Sequence, residues 1–483
     1  MQPPRHWIAN EWVAPANGET IPVLDPSTGE TFAELARGDA GDVDAAVRAA
    51  SAAMGEAFEG PWGRTPAAQR GRVLARLAAL VLEHAEEIAR LEARDTGKAV
   101  RTARNDVAAL ARYFEYYAGA ADKLHGETLP YESGYTVLTI REPHGVTGHV
   151  IPWNYPIQIF GRSVGASLAA GNACVVKPAE DASLSVLLLA RLGAEAGLPA
   201  GVLNVVTGYG QEAGAALTAH PQVAHLSFTG STATGRLVAE AAARRHVPAV
   251  LELGGKSPQL VFADADLDAA LPVLVNAIAQ NAGQTCSAGS RLLVERTAYE
   301  PLLERLAQRF AALRAGPSSA DRDMGPLVNR KQLERVRGFV AQAAQDGVVA
   351  MARGTVDADA PAGGFYHEAV LFRDVPPGHA LAREEVFGPV FAAMPFDDED
   401  EALALANGTD YGLVAGIWTR DGARQLRLAR RLHCGQVFVN NYGAGGGVEL
   451  PFGGVKSSGH GREKGFEALA GFTRLKTIAI RHG

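Results

Sequence analysis

From about residue 147 the chain alternates short apolar runs with amphipathic stretches, the pattern of βαβ units feeding a parallel sheet. "TGHVI", "ACVVKP", "GVLNVVTG", "VAHLSFTG" and "VPAVLELGG" read as its strands. The stretches between them carry a helical period. Residues 183–196, for example, open on Ser183 as a predicted N-cap and stop at Gly197, with Pro199 just beyond. Upstream, residues 65–96 and 98–118 are also helical in period, and "GETLPYESGYTVLTIREPHG" then switches to alternation, as an extended hairpin leaving the domain would. After Lys256, "SPQLVFADADLDAALPVLVNAIAQNAGQTC" predicts a strand and a long helix that delivers Cys286 near its C-terminal end, opening a second α/β domain to about residue 455. The closing "FTRLKTIAI" is a solitary alternating strand. Such an unpaired edge finds another chain or a distant hairpin, so it reads as an oligomerisation strand.

With 483 residues the chain is too long for one core. Its 47% hydrophobic and 20% charged residues are those of a folded globular protein. The net charge of −7, with no Lys/Arg-dense stripe, offers a polyanion no footprint, so nucleic acid is not expected as a partner. The first residues lack the apolar stretch of a secretory signal, and nothing reaches the roughly 18 apolar residues of a membrane span. The expectation is a cytoplasmic protein with no membrane contact. Only 3 cysteines exclude a disulfide framework. The 13 histidines show no metal-ligand spacing, His144 and His149 merely flanking "GVTG", so no metal site is expected.

Cys286, in "GQTCSAGSR", sits among small polar residues, unlike a packed thiol, and is a candidate nucleophile. Cys174, inside a Val-rich strand, and Cys434, ahead of another, read as packing residues. Glu252 closes an apolar strand in "LELGGKSP", where a partly desolvated carboxylate could take a proton from water, unless it is ion-paired with Lys256. Asn154 in "IPWNYP" could aim amide N–H groups at an oxyanion, or cap a turn. "GYGQEAG" misses the dinucleotide fingerprint. "FTGSTATG" is better: Gly230 turns the chain and Ser231 opens a helix whose free N–H groups suit a pyrophosphate. Lys177 and Glu180 in "VVKPAE" suit ribose hydroxyls. A glycine turn or a solvated loop is the plain alternative for each.

Together these stretches resemble the NAD(P)-dependent aldehyde dehydrogenase superfamily. "LELGGKSP" and "GQTCSAGSR" match its glutamate and cysteine signatures, and "PWNYP", "KPAE", "FTGSTATG", "EEVFGPV" and "PFGGVKSSGHGRE" follow in order, from "DPSTGE" to the last strand. The resemblance implies an α/β protein with a variant Rossmann dinucleotide-binding domain (residues 1–123 and 144–254), a second α/β catalytic domain (255–455) and a small β oligomerisation element (124–143 and 456–483). It implies a homodimer or homotetramer that binds NAD, with NADP disfavoured by Glu180. Lys177 and Glu180 would hold the adenine ribose, Ser231 the pyrophosphate, and Glu385 and Phe387 the nicotinamide ribose and ring. Ile151, Pro152, Trp153, Gly210, Gly214, Phe228, Gly230 and Leu253 would complete the dinucleotide site. Cys286 would attack an aldehyde, Asn154 would hold the oxyanion, and Glu252 would activate water to hydrolyse the thioester. Glu463 matches a proton-relay glutamate, but Ser163 stands where relatives carry its lysine. Arg162, with Tyr155 and Tyr442, would meet the substrate, suggesting a semialdehyde or aromatic aldehyde with a polar or anionic far end; the alternative is an arginine tied to a neighbouring carboxylate. Glu449 and a glycine run would flank the entrance. A CoA-acylating enzyme, a non-catalytic protein on the same fold and a cofactor-free cysteine hydrolase are the competing readings, the first disfavoured by Glu252.

Overall fold

The order of strands, more than their number, decides where side chains converge. The structure, a computed structural model, describes residues 4–443 and 447–482. In the first sheet Leu203–Val205, Ala173–Pro178, Val146–Ile151, Val223–Thr229 and Ala249–Glu252 lie side by side, all parallel. Taken in chain order, the strand Val146–Ile151 comes first and its successors run off to either side. The order therefore reverses at that strand, and the crevice for a ligand opens at its carboxyl end. Ile151, Pro152, Trp153 and Asn154 follow there directly. The N-terminal strands Glu11–Val13 and His6–Ile8 extend one edge of this sheet, and Gly459–His460 pairs antiparallel with Leu251 and Glu252 at the other.

A second sheet runs Val349–Arg353, Val370–Arg373, Val390–Phe396, Arg291–Glu295, Pro258–Val261, Val414–Trp418 and Gln436–Val439. Each of the two large sheets has its own apolar core, the first including Val175, Leu226 and Phe160, the second Leu260, Leu293 and Phe391. The near-continuous apolar runs of these strands follow from burial on both faces. A third, smaller sheet pairs Thr473–Arg481 with Tyr135–Pro143, and that strand with Thr128–Leu129. The last strand therefore finds the distant hairpin, and keeps one edge open.

Three local expectations are refined. Residues 65–96 form two helices, Ala67–Glu83 and Ala85–Thr96, separated at His84. Helix Leu184–Ala196 does stop at Gly197, whose φ of 104° suits glycine, but Ser183 makes no side-chain cap: its Oγ donates back to the Ala179 carbonyl at 2.7 Å. The helix Leu267–Ala279 ends before Cys286. A short turn, Gln280–Gly283, with left-handed φ of 49° at Asn281 and 53° at Ala282, re-aims the chain first. The Asn281 amide holds that turn by donating to the Asn154 and Gln284 carbonyls.

Candidate active site

The two large sheets meet where Glu252 ends one strand and Gly255 leads to the next. A Cβ on Gly255 would stand 2.4 Å from the Cys286 carbonyl oxygen, so only glycine lets the two segments touch. Cys286 is half-buried at one end of a cavity of about 200 Å³. Asn154, Tyr155, Gln158 and Arg162, from the helix Pro156–Ala170 and its approach, line it together with Phe438, Tyr442, Leu450 and Phe452. Burial pushes the Cys286 thiol up to about 12, and Arg162 is the largest influence drawing it down. The other cysteines are free as well: Cys174 is buried, and the Cys434 thiol meets the Gln436 carbonyl.

Asn154 is buried, and its side-chain nitrogen donates one hydrogen bond to the Gln284 carbonyl at 3.1 Å, which fixes the amide beside Cys286. Tyr155 bonds Thr285 at 3.0 Å and the Tyr442 hydroxyl donates to the Ser287 carbonyl at 2.6 Å, so both aromatic rings are pinned to the cysteine loop. Glu252 is 1% exposed, and neither carboxylate oxygen has a hydrogen-bond partner. The anticipated pairing with Lys256 is not formed. Burial, and then the nearby Glu463, raise Glu252 well above the ordinary carboxylate range, as a base working near neutrality requires.

Arg162 is ion-paired with Glu463, whose other oxygen accepts from the Ser227 hydroxyl at 3.0 Å. Its guanidinium also stands 5.0 Å from the centre of the Phe452 ring. Of the two expectations for this residue, the carboxylate-tied arginine is the one observed, although Arg162 still lines the cavity. Ser163, at the position that resembled a lysine, points away and donates to the Ile159 carbonyl. Glu449 is exposed and bound to Arg112, outside the cavity. Residues 444–446 of the anticipated glycine entrance lie outside the described residues.

On the dinucleotide side, Ser231 caps the helix Thr232–Ala243 by accepting from Thr234 N, leaving the helix N-terminus facing the crevice. Gly230 is required there, because a Cβ would press 2.6 Å from the Phe228 ring. Phe228 is buried beneath that turn, and Leu253 packs against Gly235. Lys177 and Glu180 pair with each other at 2.9 Å at a neighbouring strand end. Gly210 and Gly214 bound a single turn, with open space where a Gly210 side chain would be. Glu385 accepts from Gly255 N at 2.9 Å and burial lifts its carboxyl to about 7, while Trp153 and Phe387 meet edge to face at 5.3 Å. A helix N-terminus, a cation, a carboxylate and an aromatic pair along one crevice fit a dinucleotide.

Sequence reasoning missed Tyr113, Gln158, Ile159, Phe438, Phe452 and Lys464 as cavity residues. Tyr113 and Ile159 occupy apolar helical positions indistinguishable from core, and Phe452 lay unremarked in the quoted "PFGG". Among the described residues no cluster could hold a metal ion and no helix is long and apolar enough to cross a membrane.

The model of the aldehyde dehydrogenase family matches residues 12–478. A hydroxyisobutyraldehyde dehydrogenase of Mycolicibacterium austroafricanum is 45% identical over 99% of this chain and 94% of that protein. A Burkholderia cenocepacia crystal structure described as an aldehyde dehydrogenase superposes with a TM-score of 0.98 at 72% identity, covering 99% of this chain and all (100%) of the other. The NAD+ complex of a Bacillus cereus aldehyde dehydrogenase superposes with a TM-score of 0.96 at 38% identity, over 100% and 97% of the two chains. Matches of this extent place the chain among oxidoreductases that act on aldehydes. It belongs to the aldehyde dehydrogenase family.

Proposed function

We propose that the protein oxidises an aldehyde to its carboxylic acid with NAD, by way of a thioester on Cys286 that is hydrolysed with Glu252 as general base. The observation that carries this reading is a cavity thiol with a buried amide pinned beside it, and a buried carboxylate near enough to influence the thiol's charge whose oxygens have no hydrogen-bond partner among the described residues. The Cys286 thiolate attacks the carbonyl carbon, the C–S bond forms, and the π pair moves to oxygen, where an Asn154 N–H and the Cys286 backbone N–H receive it. When bound, NAD supplies the hydride acceptor for that carbon. Glu252 then takes a proton from water as the water oxygen attacks the thioester carbon. The C–S bond breaks, acid leaves, and the thiolate returns.

Lys177 and Glu180 would hold the adenine ribose, Ser231 and its helix the pyrophosphate, Glu385 the nicotinamide ribose and Phe387 the ring. Ile151, Pro152, Trp153, Gly210 and Gly214 would wall the crevice, with Phe228, Gly230 and Leu253 supporting it. The Glu180 carboxylate would repel a 2′-phosphate, which favours NAD over NADP. For the substrate, a cavity of about 200 Å³ suits a small aldehyde. Because the Arg162 guanidinium is taken by Glu463 and the Tyr155 and Tyr442 hydroxyls by the cysteine loop, the support for a polar far end is the similarity to a hydroxyisobutyraldehyde dehydrogenase, which favours a hydroxylated aldehyde. The aromatic wall of Phe438 and Phe452 makes aromatic aldehydes the next class.

Two variants test the chemistry. Cys286→Ala should abolish NADH formation while NAD binding persists. Glu252→Gln should give a burst of about one NADH per active site followed by slow turnover, since acylation survives and deacylation does not. Unchanged steady-state turnover in Glu252→Gln would refute the general base.

A further inference from the structure

Glu463 and Arg162 are both buried, and their pairing holds the only guanidinium that lines the cavity of Cys286 among the described residues. Both Glu463 oxygens are engaged, one by Ser227 and one by Arg162, in a carboxylate that is 0% exposed. We propose that Arg162 is a positioning residue whose guanidinium, anchored on Glu463, is the standing counter-cation of the Cys286 thiolate and of ionised Glu252. The proposal deepens the reading of Cys286 as nucleophile and rests on it.

The charged groups around the pair support the division of labour. Glu252 is faced by Glu463, Arg462 and Lys464 from the C-terminal segment and by Arg162 from the helix Pro156–Ala170. Cys286 is faced by Arg162, Glu385 and Glu252, and Lys464 also feels its charge. Tyr113, on the helix Val100–Ala120, faces both Arg162 and Glu463. Among the described residues Lys464 is the other cation lining the cavity, and burial followed by Arg162 pushes it down to about 8. A guanidinium keeps its charge throughout. The thiol proton can then pass to Glu252, S–H and carboxylate becoming thiolate and carboxyl, and Glu252 releases that proton to solvent before it takes the next one from water, while Arg162 stays charged throughout.

Alkylation of Cys286 by iodoacetamide, followed peptide by peptide across pH with no cofactor or substrate present, reads the thiolate directly. Removing the cation in Arg162→Met should move the alkylation midpoint upward by about one pH unit, a roughly tenfold lower thiolate fraction at fixed pH. Arg162→Lys should restore most of it. Glu463→Gln, which leaves the guanidinium unopposed, should move the midpoint downward. A merely structural pair would lower the melting temperature in each variant without opposite shifts. An unmoved midpoint in Arg162→Met, or shifts of the same sign in Arg162→Met and Glu463→Gln, would overturn the proposal; if Arg162→Met does not fold, Arg162→Lys against Glu463→Gln decides by the same signs. NADH formation by Cys286→Ala would instead overturn the nucleophile itself.

Discussion

Glu385, proposed to hold the nicotinamide ribose, shows how a buried carboxyl can work against the fold that holds it. Burial raises its carboxyl to about 7, although Gly255 N donates to it and Lys256 favours its charge. Between the ordinary carboxylate range and about 7 the native state therefore binds a proton that the unfolded chain has released, and stability falls as pH rises through that window. Glu385→Gln should stabilise the fold at pH 8 by about 2 kcal/mol, once the solvent reaching the half-buried group is allowed for, and so raise the thermal midpoint there but hardly at pH 4. Equal shifts at both pH values in calorimetry would contradict this. At this scale the sequence was informative where residue type and surroundings disagreed: a thiol among small polar residues, a carboxylate closing an apolar strand. It was silent where they agreed. Nothing in "FGRS" distinguishes an arginine that reaches substrate from one that reaches Glu463, because the partner lies hundreds of residues away and only the fold brings it near.

Between elements, the buried ammonium of Lys98 ties helices together. It contacts Glu92 at 3.1 Å and Asp106 at 2.6 Å, on the helices Ala85–Thr96 and Val100–Ala120, and Glu92 in turn accepts from Ser185 on Leu184–Ala196. Asp106 also accepts from Gln158, a cavity residue, and Lys98 lies 4.6 Å from the Tyr155 ring. Lys98→Met should leave two carboxylates without their cation and destabilise by about 3–5 kcal/mol. The loss should shrink as pH falls, because burial already raises the Glu92 carboxyl above its ordinary range and a protonated Glu92 no longer needs the cation. A loss independent of pH in urea unfolding would show that packing, not charge, is what Lys98 supplies. Helix and strand placement was legible from period and apolar runs, which report burial. Terminations were less so: the break at His84 and the turn at Asn281 come from backbone bonds and tertiary contacts that no local residue announces.

Across the whole molecule, the small third sheet presents the open edge of Thr473–Arg481, with Leu475 58% and Ile480 49% exposed. Unpaired backbone groups beside apolar side chains invite another chain. Subunits should therefore associate, and Leu475→Glu with Ile480→Glu should yield monomers; a monomeric mass for the unaltered protein in sedimentation at micromolar concentration would refute it. The division into two α/β halves and a β appendage was readable in advance because apolar alternation restarts at each sheet. That Gly459–His460 returns to the first sheet was not, since two residues carry no period.

That short pairing has a mechanical meaning. His460 and Gly459 grip Leu251 and Glu252, Glu463 follows to hold Arg162, the helix Gly465–Gly471 comes next, and the chain ends as the exposed strand. One two-residue pairing thus links the strand end that carries Glu252 to the exposed edge strand. A neighbour that pairs with that edge should also steady the Glu252 strand end, so subunits held apart should lose NADH turnover before they lose NAD binding.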